Sequence, residues 1–216
     1  MAVAALIREQ LSKAKKYLQD KDKFLNAPEE NDEPEFDAKN EALIPLLRRE
    51  VPAHFHAHRS DDIFTAIRIS KEFNLDYVII HCTEGHIIAD ELKKENTKVF
   101  SGPFLADRSK PELVNLTPKT PGILAEKGVK ASIVTDHPVT PIQYLPVCAS
   151  LAVKEGMDPY EALKSITINA AELAGIDNRV GSIEPMKDAD ILIFENDALD
   201  FRAKPVIIFF EGKRVK

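Results

Sequence analysis

All six histidines of this 216-residue chain (His54, His56, His58, His81, His86 and His137) fall between positions 54 and 137. Three of them form the run His54-Phe55-His56-Ala57-His58. In an extended strand, residues two apart point the same way, so the trio projects from one face, opposite Val51, Ala53, Phe55 and Ala57. A lone histidine is most often a structural residue. Three imidazoles on one face point instead to metal or substrate binding. His81 follows the apolar run 77–80, and Asp136 follows the strand expected at 129–135. Parallel α/β architectures gather their ligands at the carboxyl ends of strands, so His56, His81 and Asp136 are expected to converge on one mouth. Neutral imidazoles with a carboxylate suit zinc, or iron or manganese in a more open geometry. Water on such an ion, its pKa lowered to ~7, is a nucleophile, and Asp136 is placed to take its proton.

Other residues carry less. Arg59 and Arg108 are candidates to hold an acidic substrate group, although loop arginines are commonly just solvated. His137, beside Asp136, is a candidate substrate contact. His86 reads as the start of a helix, and Thr167 and Asn169 read as packing residues. Cys82 follows a candidate ligand, but buried cysteine ordinarily behaves as a small hydrophobe.

The elements that must position these groups follow from periodicity. Residues 2–23 place Leu6, Ile7, Leu11, Ala14 and Leu18 on one face of an amphipathic helix. Residues 26–38 hold six acidic residues, two prolines and no base, which reads as an exposed loop. A second helix, about 39–49, contains Pro45, which should kink or shorten it. From residue 51 a rhythm begins, with strands at 51–58, 77–80, 99–101 and 129–135. Helices are expected near 60–73, 86–95, 121–127, 142–155 and 159–174. Asp158 caps the last of these, Pro159 opens it and Gly175 stops it. Residues 51–180 therefore hold about four βα units of roughly 32 residues each, where a (β/α)₈ barrel of ~250 residues spends about 31 per unit. Segments 190–194 and 206–210 read as strands of a small β appendage. The expected division is 1–50 for the helices and acidic loop, 51–180 for half of a TIM-type (β/α)₈ barrel, and 181–216 for the β segment.

Composition bounds the partners. The chain is 44% hydrophobic and 30% charged, with 29 basic against 35 acidic residues and a net charge of -6. Mean hydropathy is -0.21. No basic stripe is present, which disfavours nucleic acid. The apolar start is too short for a signal peptide or a membrane span. Two cysteines without C-x-x-C spacing fit a reduced, cytoplasmic setting.

The stretches HAHRSDDIFTAIRIS, YVIIHCTEG, GPFLADRSKPELVNL, VKASIVTDHPVTPIQYLP, DPYEALKSITINAAELAGI and RVGSIEPMKDADILIFEND, in this order and spacing, resemble the amidohydrolase superfamily. The nearest group is the imidazolonepropionase-like metal-dependent hydrolases. The resemblance runs from about residue 40 to the C-terminus. It implies a small-molecule substrate with a hydrolysable carbon–nitrogen bond and a divalent metal, zinc foremost. It also implies metal histidines after the fifth and sixth barrel strands and an aspartate after the eighth. These fall on His56, His81 and Asp136, with His54 and His58 competing for the first place because a two-residue shift keeps the same face. Asp136 would both bind the metal and carry the proton to the leaving nitrogen.

The chain departs from the family pattern in four ways. No histidine precedes position 54, so the His-x-His of the first strand is missing. Strands one to four have no counterpart, nor does the bridging lysine or glutamate of the fourth. Only the C-terminal part of the family's β-sandwich is expected. Met186 stands where the family usually has glycine in a turn, and a positive φ there would strain it. Read alone, the chain resembles the second half of an enzyme. Open strand edges at 51–58 and 129–135 then predict a homo-oligomer or an aggregation-prone monomer. A non-catalytic half-barrel that needs a separate N-terminal half is the main alternative.

Overall fold

The computed structural model describes residues 2–216, which divide into two compact units. The first comprises the residues up to Phe55 together with Phe64–Tyr77, and the second His56–Ile63 together with Val78–Lys216.

In the first unit, α1 (Ala2–Asn26) buries Ala4, Leu11 and Ala14. Ile7 packs on the same cluster, so Ile7, Leu11 and Ala14 of the expected face turn inward, whereas Leu6 is 64% exposed. The core joins Ala4 and Leu11 to Ala53, Ile69, Phe73 and Leu75. Asp37 caps α2 (Ala38–Leu47) by accepting from the backbone N–H groups of Lys39 and Asn40. Glu41 of α2 accepts from Tyr17 Oη at 2.6 Å and Lys21 Nζ at 2.5 Å, tying the two helices together. Pro45 shortens α2, which ends two residues beyond it.

The strands β1 (Ala53–Ala57), β2 (Tyr77–His81), β3 (Lys98–Ser101) and β4 (Ala131–Ile133) form a four-stranded sheet in that order, with β1 and β4 at its edges. Parallel pairing sets His81 beside Ser101, and Ser101 beside Ile133. The crossovers use α3 (Ser60–Phe73), α4 (Ala89–Lys94) and α5 (Thr120–Glu126). A short 3₁₀ turn at Pro111–Leu113 lies in the long loop after β3. The edge strands β1 and β4 are shorter than the segments 51–58 and 129–135 that predict them, whereas β2 and β3 each extend one residue beyond theirs. Each is followed by loop backbone that carries the polar residues.

Beyond β4, α6 (Leu145–Lys154) presents Cys148, Ala149 and Ala152 to a core with Ile133, Met157, Ala162 and Leu199. The single helix expected over 159–174 is two helices, α7 (Pro159–Ser165) and α8 (Ile168–Ala174), broken at Thr167 with φ −130° and ψ −100°. Gly175 ends α8 in the left-handed conformation, φ +70°. The β appendage has three strands, β5 (Ile191–Ile193), β6 (Ile207–Phe210) and β7 (Lys213–Arg214), all antiparallel. Its last strand is two exposed cations, too short and polar to carry a strand signal. Met186 does adopt a positive φ, +77°, fully exposed to solvent. No helix among the described residues is long and apolar enough to cross a membrane.

Candidate functional site

His81 is the last residue of β2 and is 7% exposed. Its φ is +73°, and Cys82 follows at +48°. Asp136, three residues past β4, stands at +50°. Non-glycine residues in this region of φ are uncommon, and they concentrate where function over-determines the backbone.

The imidazole of His81 is fixed by its partners. Nδ1 lies 2.9 Å from the carbonyl oxygen of Gly102. A carbonyl only accepts, so Nδ1 carries the proton and Nε2 presents a lone pair. That Nε2 lies 3.0 Å from His56 Nδ1, which therefore donates to it. The two rings meet edge to face at 5.0 Å. His58 stacks on His81 at 4.4 Å with its planes 12° apart, and its Nδ1 is 2.8 Å from Thr83 Oγ1. Burial, and then the neighbouring His81 and Lys110, push the His58 pKa down to about 4, so it is neutral at pH 7. Burial also lowers His81, against the opposing effects of the Gly102 carbonyl and Asp136.

A cleft of about 660 Å³ opens here. His58, His81, Thr83, Asp136 and Lys110 line it, with Leu105, Leu113, Leu116 and Val139 as its apolar wall. It lies at the carboxyl ends of the parallel strands, where this architecture places ligands. A second cleft of about 380 Å³ in the first unit is lined by Tyr17, Lys21 and Glu41, which bond to one another, and holds no histidine.

The structure thus brings His56, His58 and His81 into contact and sets Asp136 in the same cleft wall as His58 and His81. His54 lies exposed on β1. Arg59 pairs with Asp61 at 3.0 Å, and Arg108 donates to the Leu116 carbonyl at 2.7 Å; neither lines the cleft. His137 is exposed, one residue past Asp136. Cys82 is fully buried with its thiol pushed up to about 12, which disqualifies it as a nucleophile. His86 bonds Thr120 across the loops, and Asn169 donates to the Ala131 carbonyl, both structural roles. Periodicity missed Thr83, Lys110 and the Gly102 carbonyl. Thr83 and Lys110 lie inside the recognised stretches but match no ligand spacing, and a backbone acceptor has no side-chain signature.

For a metal, the donor set is suitable in part. A tetrahedral ion with Zn–N bonds of ~2.0–2.1 Å holds neighbouring nitrogens about 3.3 Å apart, close to the His56–His81 separation. The proton of His81 on a backbone carbonyl is the usual arrangement behind a ligating imidazole. Among the described residues, no three histidine, cysteine or acidic side chains converge tightly enough to enclose an ion.

Parallel strands that deliver imidazoles and a carboxylate from their carboxyl ends to one cleft define an α/β protein with a polar, buried-imidazole site. The chain belongs to the amidohydrolase family, whose sequence profile matches residues 5–215. It is 38% identical to an amidohydrolase from Thermotoga maritima MSB8, whose crystal structure superposes with a TM-score of 0.91 over 99% of this chain and 55% of that one. It is 27% identical over 180 residues to amidohydrolase tasK of Hapsidospora irregularis, covering 82% of this chain. A 74-residue stretch, 33% of this chain, is 45% identical to the imidazolonepropionase of Geobacillus kaustophilus. The chain spans 18% of each of these two curated relatives and about half of the Thermotoga protein.

Proposed function

We propose that this chain carries the metal-binding half of a hydrolase that cleaves carbon–nitrogen bonds other than ordinary peptide bonds in small molecules. Its parallel sheet is read as the second half of a (β/α)₈ barrel, with residues 1–50 as helices and acidic loop, 51–180 as the half-barrel and 181–216 as the β segment. His56, His81 and Asp136 would hold one divalent cation, zinc foremost, with iron or manganese as alternatives. Such a cation supplies a water of lowered pKa and polarises the scissile carbon's oxygen or nitrogen. Asp136 then accepts the proton of the attacking water and returns it to the leaving nitrogen. Gly102 fixes the tautomer of His81, and His58, kept neutral by burial and bonded to Thr83, walls the reacting face. The cysteine usage and the net charge support a reducing, cytoplasmic setting without nucleic acid or membrane partners.

The observation that carries this reading is His81 itself. It is buried at a strand end with positive φ, its Nδ1 committed to a carbonyl and its Nε2 turned to a second imidazole 3.0 Å away. Elemental analysis of the purified chain tests it. About one zinc, iron or manganese per chain is expected, lost in His56→Ala and reduced in Asp136→Asn while circular dichroism stays unchanged. A metal-free chain, or stoichiometry indifferent to His56→Ala, overturns the assignment.

A second reading rests on the open edges of the sheet, β1 and β4. On this reading the chain is a folded, non-catalytic half that needs a separate N-terminal half to act. Hydrolysis appearing only when a separately expressed upstream half is added would favour it. Hydrolysis by the chain alone, abolished in Asp136→Asn, would favour the first.

A further inference from the structure

The cations expected from the sequence to meet an acidic substrate group are engaged elsewhere, Arg59 with Asp61 and Arg108 with the Leu116 carbonyl. The cleft nevertheless contains a cation. Lys110 lines it together with His58, His81 and Asp136. We propose that Lys110 makes this cleft a site for carboxylate-bearing substrates, amides that present a carboxylate beside an apolar group. The inference rests on the reading of the cleft as a hydrolase site.

Three observations carry it. First, no ion pair or hydrogen bond among the described residues engages the Lys110 ammonium group, although Asp107, Glu112 and Asp136 are nearby in sequence or in the cleft. Lys110 is exposed at the rim of the cleft whose wall His58 and His81 form, so its charge is presented to whatever enters. An ammonium group left unpaired at the mouth of a partly apolar cleft is available to a ligand anion at no cost in existing bonds.

Second, the loop that presents Lys110 is braced. Lys110 is extended, φ −140° and ψ 154°, immediately before the 3₁₀ turn at Pro111–Leu113, and its carbonyl accepts from Leu113. Arg108 closes the segment by donating to Leu116. Asn115 donates to Glu84 at 2.9 Å. Glu84 also accepts from the backbone and hydroxyl of Ser60, while its own N–H donates to the His58 carbonyl. The loop is thereby tied to the segment that carries His58, so the backbone at Lys110 is held beside the cleft. This gives Arg108 a role in presenting the cation instead of being it.

Third, the rest of the wall is apolar. Leu113 and Leu116 are buried, and Leu105 and Val139, 40% and 57% exposed, complete the surface. Apolar area flanking one cation selects a molecule whose carboxylate adjoins a hydrocarbon group. Asp136 is committed to the reaction, and Asp107 alone would favour a cationic ligand, so the sign of selectivity turns on Lys110.

Isothermal titration of the full chain, with and without one equivalent of zinc, measures this with two probes: N-acetyl-L-leucine and its neutral isostere N-acetyl-L-leucinamide. The acid is expected to bind about tenfold tighter than the amide, the preference disappearing in Lys110→Ala and persisting in Lys110→Arg, with amide affinity unchanged throughout. Equal affinities, a preference untouched by Lys110→Ala, tighter binding of the neutral probe, or no binding of either at millimolar concentration overturns the proposal. The carboxylate preference is read in the metal-free chain as well, so a chain that takes up no metal can still confirm it. Zinc uptake without any preference would remove Lys110's role and leave the metal assignment standing.

Discussion

At the scale of single residues, the site is held by backbone that few side chains would choose. His81, Cys82 and Asp136 all sit at positive φ, each at a cost of order 1–3 kcal/mol. Gly102 makes the arrangement possible. Its φ of +134° is open essentially only to glycine, and a Cβ there would meet the Val134 carbonyl oxygen at 2.3 Å. The same residue supplies the carbonyl that orients His81. Gly102→Ala is therefore expected to destabilise by at least about 2 kcal/mol, lowering Tm by roughly 4–8 °C for a chain of this length. It should also release the His81 ring, so metal uptake falls further than stability explains. The neighbouring Ser101 is a control of opposite sign. Its hydroxyl is fully buried, beside His81 in the sheet register, and has no hydrogen-bond partner. Ser101→Ala removes an unsatisfied group and is expected to leave Tm unchanged or raise it. Paired thermal melts check both, and a Tm drop in Ser101→Ala as large as that in Gly102→Ala would refute this account of the pocket.

At the scale of elements, the edge strand β4 explains the break between α7 and α8. It exchanges hydrogen bonds with both helices: the Asn169 side chain of α8 donates to the Ala131 carbonyl of β4 at 3.1 Å, and the Ser132 hydroxyl of β4 donates to the Ser165 carbonyl of α7 at 2.7 Å. An unbroken helix over 159–174 would keep the Ser165 carbonyl for its own ladder. Instead Thr167 leaves helical φ and ψ, with its hydroxyl bonded back to Leu163. Asp158 caps α7 as its sequence foretells, accepting from Tyr160 and Glu161. Asp158→Ala is expected to cost ~1 kcal/mol, an exposed cap lost. Asn169→Ala should cost more, ~1–3 kcal/mol, because it strands an edge carbonyl. Urea unfolding midpoints, compared at constant m, give both values, and a larger loss in Asp158→Ala would reverse the argument.

The same contrast marks what the sequence made legible. The βα order, the helix at Ser60–Phe73, the Asp158 cap and the position of His81 at the end of a strand all follow from local period and capping chemistry. The α7–α8 break, the two-residue strand β7, the Gly102 carbonyl and the Lys110 position depend on partners distant in sequence. Local pattern carries no record of those partners. Arg108 illustrates the limit: its residue type suggested an anion site, and its loop gives it the Leu116 carbonyl instead.

At the scale of the whole molecule, unsatisfied surface sets the last expectation. The sheet β1-β2-β3-β4 ends in two edges, and Asn169 answers only part of the β4 edge. The β5–β6–β7 sheet exposes Leu192 at 55%, Ile193 at 41% and Phe210 at 58%. Open edges and adjoining apolar residues are the features that drive chains to associate. Sedimentation velocity at tens of micromolar is therefore expected to show dimers or larger species. The two sources of association separate by mutation. Leu192→Lys with Phe210→Lys charges the small sheet and leaves the parallel edges alone. A shift to monomer in that variant assigns association to the β appendage. Persistence of the oligomer assigns it to the edges of the parallel sheet. A single sharp monomer boundary for the unmodified chain would mean that both surfaces tolerate water, and the association argument would fail.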